Sequence, residues 1–241
     1  MNARSPHRHD PLIVALDFTD LPPALRMARR LHGLVRTVKV GSVLFTTCGP
    51  LAIRRLRALG FRVMLDLKFF DIPSTVELSC RAAVRHGVSL LTVHAAGEPA
   101  MLEAAVRGVR TEARRRGAAR PLVLGVTVLT SVARGERRRT ASVTSRVMAL
   151  TQRALEAGCD GVVASAQEVL ALRARFGRRL RIACPGIRLP GARHDDQCRV
   201  SSPSEAMARG ADLLIVGRPI TAAHDPRVAV HALRHDMEER S

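Results

Sequence analysis

The stretch Leu12-Ile13-Val14-Ala15-Leu16-Asp17-Phe18-Thr19-Asp20 decides how the fold is read. Five consecutive apolar residues give way abruptly to Asp17, with no clean alternation of apolar and polar positions. A strand buried on both faces of a parallel sheet has this pattern. The turn after it is not glycine-rich, so it lacks the dinucleotide-binding fingerprint that would favour an open doubly wound sheet. Further short apolar runs follow at Thr37–Gly41, Arg62–Lys68, Leu90–Ala95, Leu122–Leu129, Gly161–Ser165, Arg181–Pro185 and Leu213–Gly217. The segments between them have helical spacing. Met101, Leu102, Ala105, Val106 and Val109 form one apolar stripe, and Val147, Leu150, Ala154 and Leu155 form another.

Eight strands alternating with helices predict an α/β protein, a (β/α)8 TIM barrel. The chain has 241 residues, close to the roughly 250 typical of one such barrel. Residues 1–10 read as a flexible amino-terminal tail and residues 11–241 as a single barrel domain. Local signals agree: Ser74-x-x-Glu77, Ser165-x-x-Glu168 and Ser202-Pro203-Ser204-Glu205 fit a capping box, and Asp225-Pro226 can open the last helix. Gly177 and Gly210 fit helix ends.

Lys+Arg is 39 against 21 Asp+Glu, a formal charge of +18. That balance invites a nucleic-acid reading. With no Trp, no Tyr and six Phe, however, platforms for stacking bases are scarce. Only Lys39 and Lys68 are lysine, and every other strong cation is arginine, spread along the whole chain. Generic replacement of surface lysine by arginine explains this better than a nucleic-acid partner does. The basic loop Arg134–Arg139 is read as exposed and without a role. No apolar run approaches the ~20 residues of a membrane span, and the first ten residues hold no signal-peptide core. Cys48, Cys80, Cys159, Cys184 and Cys198 show no metal or disulfide spacing, which points to reduced thiols and a cytoplasmic location.

The two lysines then become informative. Guanidinium stays protonated at any working pH, whereas an ammonium is a compact charge that can give up a proton. Both lysines lie near the ends of predicted strands, where a barrel carries its active site. The mouth would gather Asp17, Lys39, Asp66, Lys68, His94, Thr130, Arg188 and Arg218. The densest cluster is Asp66-Leu67-Lys68-Phe69-Phe70-Asp71-Ile72-Pro73. On a strand, Asp66 and Lys68 share a face, and flanking carboxylates favour the charged ammonium. Asp17 and Lys39 could extend the pair into an alternating array. Such an array is costly to bury unless its charges are well paired, and a purely structural ion-pair network is the plain alternative. His94 reads as a packed rim histidine and the cysteines as bystanders.

Asp66–Thr75 (DLKFFDIPST) closely resembles the signature of the orotidine 5'-phosphate decarboxylase family. Leu12–Phe18 (LIVALDF), Val38–Gly41 (VKVG), Val126–Ser131 (VTVLTS), Pro185–Arg188 (PGIR) with Asp196-Gln197, and Val216–Ile220 (VGRPI) match it in order, over nearly the whole chain. The shorter pattern DxKxxD is less specific. It also occurs in metal-dependent sugar-phosphate decarboxylases and lyases of the same superfamily, the alternative reading.

The resemblance implies a cofactor-free, metal-free lyase that converts orotidine 5'-phosphate to UMP and CO2 in pyrimidine biosynthesis. Lys68 would protonate C6 and Asp66 would lie beside the substrate carboxylate. Lys39 and Asp17 would hold the array and contact the ribose. Asp71 and Thr75 would complete the partner subunit's site, implying a homodimer. Thr130 would fall in the pyrimidine-recognition segment. Arg188, Gln197, Gly217 and Arg218 would grip the phosphate, with Arg188–Gln197 forming a mobile loop. Ser74 replaces the family's usual Asn, with little catalytic effect expected.

Overall fold

The computed structural model describes residues 10–129, 140–189 and 199–238, with backbone alone at 140–142. Eight parallel strands close into a barrel in sequence order. They are β1 (Leu12–Ala15), β2 (Thr37–Gly41), β3 (Arg62–Phe69), β4 (Leu90–His94), β5 (Leu122–Val126), β6 (Gly161–Val163), β7 (Arg181–Cys184) and β8 (Leu213–Val216). β8 closes on β1 through the pairs Leu12–Leu214, Ile13–Ile215 and Val14–Val216. The helices α1 (Leu21–Leu31), α2 (Ser42–Cys48), α3 (Pro50–Ala58), α4 (Pro73–Arg85), α5 (Pro99–Arg115), α6 (Thr140–Glu156), α7 (Val169–Phe176), α8 (Pro203–Ala208), α9 (Arg218–Thr221) and α10 (Pro226–Glu238) connect or follow the strands. All eight expected strands are present. Several end before their apolar run does, because the chain leaves the ladder there and turns into the barrel mouth.

The lack of alternation in the apolar runs has a simple cause: both faces of each strand are buried. Val14, Val38, Val40, Val63 and Leu65 belong to the large core shared with the helices, while Ile13, Ala15, Met64, Leu90, Leu124, Ala183 and Ile215 form a separate cluster. This second set alternates with the first along the strands and fills the barrel interior. Asp17 follows Ala15 by two residues, Lys39 follows Thr37, and Asp66 follows Met64. The parity that fills the interior thus also delivers charged groups to its upper layer.

At the opposite end, carboxylates tie strand starts together. Asp10 accepts hydrogen bonds from Arg36 N (3.0 Å) and Leu12 N (3.3 Å) and pairs with Arg234 at 3.1 Å. Asp10 therefore belongs to the barrel rather than to a tail. Asp160 accepts from Val123 N at 2.8 Å, and Asp212 from Ile182 N at 2.7 Å.

The helix starts depart in part from the sequence reading. Ser202 forms the expected capping box with Glu205, and Asp225 Oδ1 accepts from Arg227 N at 2.9 Å. Ser74 does not cap α4. Pro73 takes the first helical position after Ile72, so Ser74 is already inside the helix. Ser165 does not open α7 either. The chain from Ser165 to Glu168 forms a turn closed by Glu168 N to Ser165 O at 3.1 Å, and the Glu168 carboxylate points elsewhere. Among the described residues, no helix is long and apolar enough to cross a membrane.

Several arginines do work that lysine could not. Arg173 donates to the carbonyls of Gly210, Gly177 and Leu180 and pairs with Asp212. Arg115 grips the buried carboxylate of Glu112 with two nitrogens, at 2.6 and 3.2 Å. Such forks need a planar guanidinium.

Candidate active site

The first three strands build an alternating chain of charges at the barrel mouth. Parallel register sets Lys39 between Ala15 of β1 and Met64 of β3, and Gly41 opposite Asp66. The Lys39 ammonium lies 3.0 Å from Asp17 Oδ1 and 3.4 Å from Asp66 Oδ2. Lys68 Nζ lies 3.0 Å from each Asp66 oxygen. Burial by itself would raise the Asp66 carboxyl above its ordinary pKa. The charges of Lys39 and Lys68, with hydrogen bonds from Lys68 and Thr92, hold it below that value instead. Exposure falls steeply across the array. The Asp17 side chain is 51% accessible and Lys68 36%, but Asp66 only 12% and Lys39 8%. Lys68 is therefore the more open of the two ammonium groups, while Lys39 and Asp66, which also line the mouth, are far more buried.

Asp66 and Lys68 converge, but not by regular strand geometry. The pairing of β3 with β4 shifts register between Leu65 and Phe69. Lys68 has φ of 50°, the one left-handed non-glycine residue among those described. Holding a bulky residue in this conformation costs about 1–3 kcal/mol, and such strain gathers at functional sites. Thr92 of β4 supports it. Its hydroxyl accepts from Lys68 N at 3.0 Å and donates to Asp66 Oδ1 at 2.9 Å.

These groups open on a cavity of about 590 Å³ that also receives Arg188 from the segment after β7, and Gly217 and Arg218 after β8. Val126, Val128 and Leu129 add an apolar wall. The cavity thus combines compact cations, apolar contacts and two guanidinium-bearing positions, suited to an anionic molecule with an apolar portion. Asp71 and Thr75 do not line it. Both are exposed, and Asp71 Oδ1 accepts from Ile72 N at 2.7 Å. Thr130, Gln197, Cys198 and the Arg134–Arg139 loop lie outside the described residues.

The model of the orotidine 5'-phosphate decarboxylase / HUMPS family matches residues 10–233. The chain belongs to this family. A relative named orotidine 5'-phosphate decarboxylase from Moorella thermoacetica is 44% identical, across 96% of this chain and 94% of its own length. One of the same name from Chromohalobacter salexigens is 45% identical, across 98% and 100%. Among solved structures, orotidine 5'-phosphate decarboxylase from Lactobacillus acidophilus superposes with a TM-score of 0.81 at 33% identity, covering 95% of this chain and 99% of that one.

Within this family frame, two supporting residues escaped the sequence reading as site residues. Thr92 lies in the run Leu90–His94, and a hydroxyl flanked by apolar residues within a buried strand is the available signal. Gly41 ends the motif Val38–Gly41 and carries no side chain that would mark it as functional. A Cβ at Gly41 would lie 2.8 Å from both Asp17 Oδ1 and Lys39 Nζ, so the absent side chain makes room for the ion pair. His94 is half-buried. Its Nδ1 accepts from Ala96 N at 3.2 Å and its ring packs against Phe70. Burial, and then the charges of Arg146 and Lys68, push it below the ordinary histidine value. Cys80, Cys159 and Cys184 are buried free thiols pushed up to about 12, chiefly by burial, so they stay protonated.

Two outcomes follow from this geometry. Gly41→Ala displaces the Lys39–Asp17 pair and lowers kcat/KM by roughly tenfold or more, the scale of a disturbed charged hydrogen bond; steady-state kinetics checks it. Because the folded pKa of Asp66 lies below its unfolded value of about 3.9, its contribution to stability is present above that pH and lost as pH falls through the lower folded value. Urea unfolding between pH 2 and 7 should lose this acid-dependent component in Asp66→Asn, and an unchanged slope would contradict the pairing.

Proposed function

We propose that this chain decarboxylates orotidine 5'-phosphate to UMP and CO2, with Lys68 as the reacting group. The observation that carries the reading is the alternating Asp17–Lys39–Asp66–Lys68 array, which presents its outermost ammonium to a cavity shared with Arg188 and Arg218.

The chemistry accounts for this arrangement. When the bond from C6 to the carboxylate breaks, its electron pair stays on C6 in the plane of the ring, where the π system cannot spread it. A cation fixed beforehand at that position stabilises the developing charge without reorganisation. A unit charge pair 4 Å apart is worth about 4 kcal/mol at an effective dielectric of 20. The Lys68 ammonium then transfers a proton to C6, forming the C–H bond of UMP, and the neutral amine recovers its proton from solvent. Asp66 keeps Lys68 charged and aimed, and would lie beside the departing carboxylate. Lys39 keeps Asp66 ionised. Lys39 and Asp17 contact the ribose, and Thr130 contributes to recognising the pyrimidine. Arg188, Gln197, Gly217 and Arg218 hold the phosphate. Binding energy from that remote group can be used to enclose the reacting end.

The metal-dependent sugar-phosphate lyase reading is less well supported. The space between the Asp17 and Asp66 carboxylates, where a divalent cation would be sought, is taken by the Lys39 ammonium. The described residues hold no group of three or more His, Cys, Asp or Glu suited to a metal.

The test is the ultraviolet absorbance change on adding orotidine 5'-phosphate to protein stripped of metals by chelation. Full turnover is expected, whereas activity that vanished and returned only with a divalent cation would favour the lyase. Lys68→Arg keeps the charge but is a very poor acid. Its kcat should fall by at least ~10³ while nucleotide binding persists; near-normal turnover would remove Lys68 as the proton donor.

The working unit proposed is a homodimer in which Asp71 and Thr75 complete the partner's site. In support, both residues lie outside their own cavity, beside Phe70, Ile72 and Leu78, which are 63, 64 and 61% exposed. Large apolar side chains grouped in this way mark an association surface. Ile72→Asp should shift the chain toward monomer in light scattering and reduce turnover with it. A fully active monomer would refute the composite site.

A further inference from the structure

Glu168 and Arg199 form an ion pair in the interior, their side chains only 3% and 7% exposed. Arg199 Nε also donates to Gln167 Oε1 at 3.1 Å. Glu168 Oε2 and Arg199 Nη1 are buried without a hydrogen-bond partner among the described residues. Taking two charges out of water and leaving part of their hydrogen-bonding capacity unused is poor stabilisation, and an apolar pair would often serve as well or better. What such a pair supplies is a fixed geometry.

Its location shows what it fixes. Glu168 closes the tight turn that follows β6, and its carbonyl accepts from Leu172 N at 2.9 Å in the first turn of α7, so its backbone is anchored at both ends. Arg199 lies two residues before Ser201, which forms a parallel bridge with Ile187. In that bridge Arg188 N donates to Ser201 O at 3.0 Å, and Ser201 N donates to Gly186 O at 3.2 Å. Ser201 Oγ donates to Glu205 Oε2 at 2.7 Å, within the capping box of α8. A continuous set of contacts therefore runs from Glu168 through Arg199 and Ser201 to the backbone of Arg188, whose side chain lines the cavity.

We propose that Glu168 and Arg199 are positioning residues for the phosphate grip: their buried ion pair locks the Arg199–Ser201 backbone against Gly186–Arg188 and so sets where the Arg188 guanidinium stands. Neither side chain lines the cavity. Both act through Arg188, and the role rests on the phosphate-binding function proposed for that residue. A shift of the guanidinium by even a fraction of an ångström weakens a charge-assisted contact while leaving the Lys68 array, built on β1 to β4, untouched.

The experiment compares wild type with Glu168→Gln and Arg199→Lys. Glu168→Gln preserves shape and removes the charge. Arg199→Lys preserves the charge and loses the fork, and it carries the same criteria should Glu168→Gln fail to fold. In each variant KM for orotidine 5'-phosphate should rise about tenfold with kcat within about twofold. Inhibition by UMP should weaken about tenfold while inhibition by uridine, which lacks the phosphate, stays unchanged. Arg199→Lys should lose less than Arg199→Met. A fall in melting temperature with an unchanged ratio of UMP to uridine inhibition would mean that the pair only stabilises the barrel. Equal weakening of both inhibitors would mean general damage to the site, and either result overturns the positioning role alone. A wild-type chain with no turnover of orotidine 5'-phosphate would sink the function itself, and the positioning role with it.

Discussion

A carboxylate held ionised between two ammonium groups is the constraint on which the rest of the site depends. Asp66 is largely withdrawn from water, and a lone charge there would be untenable. Lys39 stands on one side, Lys68 on the other, and the Thr92 hydroxyl donates to it from β4. Losing any of these leaves a buried charge underpaired. Much of the architecture of β1 to β4 can be understood as meeting this need. The parallel register sets Asp66 opposite Gly41, two residues beyond Lys39 on the same face, Gly41 clears the space between Asp17 and Lys39, and a register shift with a left-handed Lys68 brings the last ammonium to the cavity. The strain at Lys68 is tolerated because the surrounding contacts over-determine its backbone.

The other half of the mouth is organised on a different physical basis. There the charged groups are guanidiniums, presented by short segments after β7 and β8 rather than by the strands themselves. Segments of this kind need bracing. The bridge between Ile187 and Ser201, the capping box at Ser202 and the interior Glu168–Arg199 pair supply it. The lysine end of the mouth is thus braced by strand register, and the arginine end by side-chain and loop contacts.

This division also bears on the unusual cation usage. Where one side chain must satisfy two or more acceptors, as Arg115 does at Glu112 and Arg173 does at Asp212, Gly210 and Leu180, arginine provides it. Lysine remains only at the two positions of the array, where a compact charge is hydrogen-bonded to carboxylates and, in the function proposed for Lys68, releases a proton.

The barrel was legible in the sequence because each strand is buried on both faces and the runs between strands repay burial only as amphipathic helices. Lys39, Asp66 and Lys68 were legible for a related reason: charged residues at the ends of apolar strands are too costly to keep without a use. Ser74 and Ser165 misled, since a capping pattern records what a side chain can do locally, whereas Pro73 and the Glu168–Arg199 pair decide what it does in the folded chain. The support from Thr92, the room left by Gly41, the left-handed turn at Lys68 and the bracing of Arg188 all join residues distant in sequence or depend on backbone geometry. Composition and periodicity determined which residues must be buried and which charges were worth keeping. Only closure of the barrel, which fixes one register for all eight strands at once, decided which of those charges meet.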